Sequence, residues 1–249
     1  MSHVLRLAVA ALVGSWLGCA RPPPSADDAG RLASAPAASP SAQGTIEGRV
    51  VWHGVAPTPQ GLPTSASVQS VCGTSVTDNG FRLDTSGGVA EVVVWVDAPP
   101  EVGPSANPVL LDQRGCLYWP AVFAARTGAS LRIRNSDPLT HTVHARSDGV
   151  TVFDVAMPLE HMELSRQLPG QPGLLELRCD VHPWMQAVVR TFDHSHFTTT
   201  GLDGRFHLAG LAPGDYALHA WHPRLGEASR RLHLADAVVV SDFEFGGKP

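Results

Sequence analysis

Donor side chains of soft or borderline character stand close together in the run Cys179-Asp-Val-His182-Pro-Trp-Met185, directly after the apolar stretch 174–177. A thiolate, an imidazole and a thioether suit copper in both of its oxidation states. A weak axial thioether beside two imidazoles and a cysteine marks an electron-transfer centre. A tight loop lets such donors converge, whereas an uninterrupted strand sends alternate side chains to opposite faces. The second imidazole has a source upstream, where 131–144 reads as a strand, a turn and a second strand that opens on His141. His144, three positions on, falls on the other face of that strand and reads as a supporting or surface residue. A zinc site would recruit His141, His144, Cys179 and His182 and leave Met185 idle. Methionine at that place favours copper.

The two runs together resemble the cupredoxins, in particular the amicyanin-like small blue copper proteins, over about 109–192. The resemblance implies a Greek-key β-sandwich holding one copper ion, with His141, Cys179 and His182 as equatorial ligands and Met185 as a long axial ligand. Asn135 matches the asparagine that ends the strand before the first ligand loop, and Pro183 fits the short last loop. One position departs. Many cupredoxins carry asparagine directly after the first ligand histidine, where it ties the ligand loops together, and here Thr142 stands there. Its hydroxyl and amide are the groups left to make that tie. The implied function is electron transfer, with a redox partner protein docking near His182 and Trp184 on a small apolar patch that includes Leu139 and Pro183.

Other soft donors read as packing or solvated residues: Met157, His161 and Met162 between the ligand loops, the pair His194 and His196, and the pair His219 and His222. A His-x-His pair resembles the multicopper oxidases, but the repeated pairs that a trinuclear cluster needs are missing. With no nucleophile elbow, phosphate loop or carboxylate pair, the expectation is that the chain is not an enzyme. Two competing readings remain open, an envelope module that binds carbohydrate or protein with an empty metal site, and a copper storage or delivery protein.

The rest of the chain is patterned as all-β. Short period-two, β-branched runs at 45–52, 89–96, 109–111, 130–134, 142–145, 174–179, 187–192, 205–208, 216–221 and 228–234 are bounded by Gly, Pro, Asn and Asp. Pro-rich 57–63 and 98–108 read as loops. The run 198–208, with Asp203-Gly204 at a hairpin turn, and the Pro213-Gly214 turn after it resemble the carboxypeptidase regulatory-like, transthyretin-like sandwich, as does the opening run 45–57. That resemblance implies fold and no chemistry. The expected organisation is therefore 45–105 and 196–246 as two parts of one transthyretin-like or Ig-like sandwich around a cupredoxin-like copper domain at 106–195, with two sandwiches in series as the alternative.

Residues 1–19 carry Arg6, an apolar run and Gly18-Cys19, which read as an export signal. The ending looks like a bacterial lipobox with Cys19 as the lipidated residue, although Trp16 is atypical and an ordinary signal peptide is the alternative. The Ala, Pro and Ser-rich stretch 20–44 is too poor in apolar residues to order itself and reads as a disordered tether. Together these predict an exported, periplasmic or outer-membrane-associated lipoprotein held to a membrane by its lipid. A net charge of −5 without a basic stripe argues against nucleic acid as a partner. If Cys19 takes lipid and Cys179 takes metal, Cys72 and Cys116 are left as a candidate disulfide, with two buried free thiols as the alternative.

Overall fold

The computed structural model describes residues 43–103, 107–235 and 237–246, all within one compact unit. The expected export signal, its Cys19 and all but the end of the expected tether lie outside them. Gly44, placed at the end of that tether by composition, opens the first strand.

The fold is all-β. Among the described residues the strands are β1 (Gly44–His53), β2 (Gly61–Pro63), β3 (Ser75–Thr77), β4 (Val93–Val96), β5 (Val109–Arg114), β6 (Leu117–Trp119), β7 (Val122–Arg126), β8 (Ser130–Asn135), β9 (His141–Ser147), β10 (Val150–Met157), β11 (Glu163–Gln167), β12 (Gly173–Arg178), β13 (Gln186–Phe192), β14 (Phe197–Thr199), β15 (Arg205–Leu211), β16 (Gly214–His222), β17 (Gly226–Leu234), β18 (Val238–Val240) and β19 (Phe243–Gly246). One helical turn, α1 (Gln69–Cys72), follows a 3-10 turn at Ala66–Val68.

β5 to β13 build a sandwich of their own. A sheet in the order β10-β9-β12-β13-β7 and a sheet in the order β11-β8-β5-β6 enclose Leu111, Tyr118, Leu131, Ile133, Val143, Leu177 and Val189. A second sandwich sets β1, paired with β15, β18 and β19, against the sheet β14-β4-β16-β17, around Ile46, Val50, Val94, Phe206, Leu218 and Phe243. Alternation along β1 puts Ile46, Gly48 and Val50 inward and Glu47 and Arg49 outward. Gly48 is required there, because a Cβ would sit 2.2 Å from the Ser241 carbonyl oxygen.

β4 has no polar face because both of its faces are covered. Val94 and Val96 point into the second sandwich, while Val93 and Trp95 meet Val122, Ala124 and Phe192 of β7 and β13. This seam explains a continuous apolar run where a half-buried strand would alternate. The strand is shorter than expected. It starts at Val93 because Glu91 adopts a left-handed φ of 60° and Val89 makes only an isolated bridge to Leu83. Within the stretch expected to be loop, Gly61–Pro63 pairs with β3 in a two-stranded ribbon, with Pro63 at the strand's end where a missing N–H is tolerated.

Candidate metal centre

β8 ends on Asn135, and the turn after it is built around that side chain. Its Nδ2 donates to the carbonyls of Leu139 (2.7 Å) and Met157 (2.9 Å), and its Oδ1 accepts the Asp137 amide (3.0 Å). An asparagine suits the place because one side chain offers both donors and an acceptor to the turn and to the end of β10. β9 then opens on His141. The loop 179–185 after β12 closes on itself, Met185 N donating to His182 O (2.9 Å) and Cys179 N to Met185 O (3.2 Å).

These two turns bring His141, Cys179 and His182 to one point. Their Nδ1 atoms, one on each histidine, lie 2.9 Å apart, and Cys179 Sγ lies 3.7 Å from His182 Nδ1. One donor atom from each of the three residues falls within 4.8 Å of the others. His141, Cys179 and His182 are 0%, 2% and 4% exposed, and Met185 is fully buried in the same core cluster as Cys179.

The surrounding contacts hold each donor in place. His141 Nε2 meets Asp137 Oδ2 at 3.0 Å, and the same carboxylate accepts the amides of Gly115 (2.7 Å) and Cys116 (2.8 Å). With Nε2 engaged by Asp137, Nδ1 is the His141 nitrogen that faces His182. Thr142 donates its amide to Cys179 Sγ (3.4 Å) and accepts the Asp180 amide on its hydroxyl (2.8 Å), so it ties the two loops. Tyr118, wholly buried, donates its hydroxyl to the Thr142 carbonyl. Trp184 donates Nε1 to the Cys116 carbonyl (3.0 Å), and its ring centre lies 5.1 Å from that of His182.

Electrostatics favour the metal-binding forms of Cys179 and His182, while the Asp137 contact favours a proton on His141. Burial opposes charge on Cys179, but hydrogen bonds with His141 and from the Thr142 and Val181 amides outweigh it and hold the thiol below its ordinary pKa. Burial, then the neighbouring His141, keeps His182 below its ordinary value, so its imidazole stays neutral. For His141 burial is outweighed by Asp137 and the Cys179 sulfur, which raise it. Asp137 is lowered: burial opposes its charge, while His141 and the two amides favour it. A thiolate, two imidazoles and a thioether buried together, with one ring anchored from behind, fit copper.

The other candidates lie elsewhere. His144 Nδ1 is 3.1 Å from Asp180 Oδ1 and Nε2 is 2.8 Å from Thr151 Oγ1, on the opposite face of β9 from His141, so the four-ligand zinc set does not assemble. Met157 is core, His161 is exposed, and Met162 packs against the core edge. His194 and His196 stack on each other, His219 stacks on Trp95, and His222 is buried against Phe81, all outside this sandwich's core. Cys72 and Cys116 form a disulfide with their Cα atoms 5.7 Å apart.

Residue type marks Cys116 as a candidate disulfide partner, but marks neither Asp137 nor the Gly115–Cys116 amides as contacts of the metal end. A carboxylate in the turn four residues before a candidate ligand histidine was the available signal for the first. The second has no local signal, since its partners come from distant loops.

Comparison with known proteins adds the following. No protein-family model matches the sequence, and no curated protein does. Among solved structures, the chain is similar to a copper-containing nitrite reductase from Thermus scotoductus SA-01 (17% identity, 40% of this chain, 26% of that one, TM-score 0.31). It is also similar to a purple cupredoxin from Nitrosopumilus maritimus (17% identity, 34% of this chain, 99% of that one, TM-score 0.29). A third is amicyanin from Paracoccus versutus (15% identity, 40% of this chain, 97% of that one, TM-score 0.31). The chain thus spans about a quarter of the nitrite reductase and nearly all of the two small cupredoxins. The nitrite reductase is an enzyme, and the expectation that this chain is not one is withdrawn on that finding.

Proposed function

We propose that this chain binds one copper ion through His141, Cys179, His182 and Met185 and carries electrons. The observation that supports this best is the convergence of two imidazole nitrogens and a thiolate sulfur within 4.8 Å of one another in a buried pocket beside a buried methionine. When bound, copper supplies a one-electron couple. The residues do the rest. Asp137 fixes the His141 ring, the Thr142 amide and hydroxyl fix Cys179 and the loop behind it, and the loop 179–185 is held by its own backbone bonds. Donors held this firmly change little between oxidation states, which is what fast electron transfer needs.

Trp184 and His182 are proposed as the side on which a redox partner docks. His182 is nearly covered, so contact would be made through the Val181, Pro183 and Trp184 rim. The Cys72–Cys116 disulfide supports placing the protein in an oxidising compartment, in keeping with an exported lipoprotein anchored at Cys19. The nesting of a copper domain at 106–195 between two parts of a transthyretin-like sandwich is proposed with it.

The test is a visible spectrum of the chain from residue 43 after one equivalent of Cu(II), beside a Cys179→Ser control. An intense blue band in the parent alone, bleached and restored by one-electron reduction and reoxidation, is expected. A parent without the band sinks the copper-carrier reading and promotes the metal-free binding module.

A further inference from the structure

The hairpin between β5 and β6 turns through only Gly115 and Cys116, with Arg114 opposite Leu117. Both have positive φ, 61° and 59°, as the tightest hairpin loops demand. Glycine adopts that conformation freely. Cysteine does so against its Cβ, and a non-glycine residue held there is worth asking about.

Both amides of this turn and the Cys116 carbonyl bond to residues at the candidate metal centre. The Gly115 and Cys116 amides both donate to the Asp137 carboxylate, which in turn meets His141. The Cys116 carbonyl accepts Trp184 Nε1 from the loop that carries Cys179, His182 and Met185. One residue, Cys116, thus touches both ligand loops through its amide and its carbonyl.

What holds the turn is a segment from outside this sandwich. The Cys116 sulfur is bonded to Cys72 at the end of α1. Val76 of β3 and Leu62 of β2 join Cys116 and Leu117 in an apolar cluster that also takes in Leu139 and Trp184, one from each ligand loop. Among the described residues the ribbon β2–β3 pairs with no other strand, and the disulfide, this cluster and the bond from Asn79 Nδ2 to the Tyr118 carbonyl (2.6 Å) tie its segment to the metal end.

We propose that the Gly115–Cys116 turn, locked by the Cys72–Cys116 disulfide, is a positioning element for the metal centre, resting on the copper reading above. It holds Asp137 against His141 and Trp184 against His182, and thereby sets how tightly and with what preference between oxidation states the donors bind.

The experiment compares copper-loaded parent with two variants that lack the cross-link, Cys72→Ala/Cys116→Val and Cys72→Ala/Cys116→Gly. Glycine accepts the positive φ of the turn and β-branched valine resists it. Both variants melt earlier than the parent. The valine variant is expected to lose Cu(II) affinity by about 10–100-fold, the range for outer contacts of metal ligands. Its blue band shifts, and its midpoint potential rises by about 59 mV for each tenfold by which Cu(II) is lost more than Cu(I). The glycine variant recovers most of the affinity, band and potential without recovering the melting temperature. Should the valine variant fail to fold, Trp184→Phe and Asp137→Asn replace it, each cutting one arm of the turn's contacts, with the same direction of shift expected. Variants that melt early but keep the parent's band, affinity and potential overturn the proposal alone. A parent with no blue band overturns the copper reading and this proposal with it.

Discussion

The two sandwiches are made of similar strands, yet their interiors differ. The one that contains β1 has a core of aliphatic and aromatic groups, Ile46, Val50, Val94, Phe206, Leu218 and Phe243, with His222 buried at its edge against Phe81. The other has an equally apolar middle, but at one end Gln113, Asn135, Asp137, His141 and His182 are each at most 5% exposed. A core asks only for volume and apolarity. Buried polar groups ask for partners, and Asn135, Asp137 and His141 find theirs in turns and loops between strands. Strand faces thus supply the packing, whereas the candidate donors gather where strands meet the connections between them.

If that division holds, damage to the first interior should lower stability and leave the metal centre untouched. Phe243→Ala is the strongest such test. It empties a 1% exposed site and should cost about 3–5 kcal/mol in urea unfolding while the copper-loaded spectrum stays as in the parent. A shifted band would break the comparison.

Acid sharpens it next. His222 is buried, its Nδ1 accepts the Arg224 amide, and burial lowers its pKa from 6.5 to about 4. The unfolded chain therefore takes up the proton first. Stability from this group is complete above pH 6.5 and falls away as pH drops towards 4, by roughly 3 kcal/mol in all. His222→Phe should flatten that slope in melts recorded between these pH values, and an unchanged slope would place the acid sensitivity elsewhere.

Glu91 tests the join. Its Oε2 accepts the amides of Ala121 (3.0 Å) and Val122 (3.2 Å), and Arg82 pairs with its other oxygen. Glu91→Ala leaves those amides and Arg82 without their acceptor and should cost about 2 kcal/mol, read as a lower urea midpoint. The smallest effect is expected at Arg190, whose guanidinium lies 4.1 Å from the Trp95 ring centre and 5.2 Å from that of Trp221. Arg190→Gln should cost about 1 kcal/mol. Two separate melting steps in that variant would show that the seam alone makes the sandwiches unfold together.

Much of this arrangement is legible in the chain. The loop 179–185 stands out because its donors are chemically distinctive and close in sequence, and His141 stands out because a strand and turn lead into it. The all-β class follows from alternation as regular as that of β1. The contacts behind the donors are harder to read. Asp137 reaches His141, and Cys116 reaches Trp184, only after folding brings separate hairpins together, and no local pattern announces such a meeting. Short pieces such as β2, β14 and β18 escape notice because three residues carry too little periodicity to tell from loop. β10 and β11 fall in a stretch read only as the space between ligand loops, and they prove to be edge strands of the two sheets.

The pairing of β1 also fixes an order of assembly. Every strand that flanks it, β15, β18 and β19, comes from beyond residue 204, whereas β5 to β13 find all their neighbours among themselves. As the chain emerges from synthesis, the sandwich that contains His141, Cys179 and His182 has its full set of strands while β1 is still waiting for its own. The apolar face of β1 must be shielded during that interval, and an interruption anywhere before the last strands leaves a finished sandwich with the candidate donors attached to an open, adhesive edge.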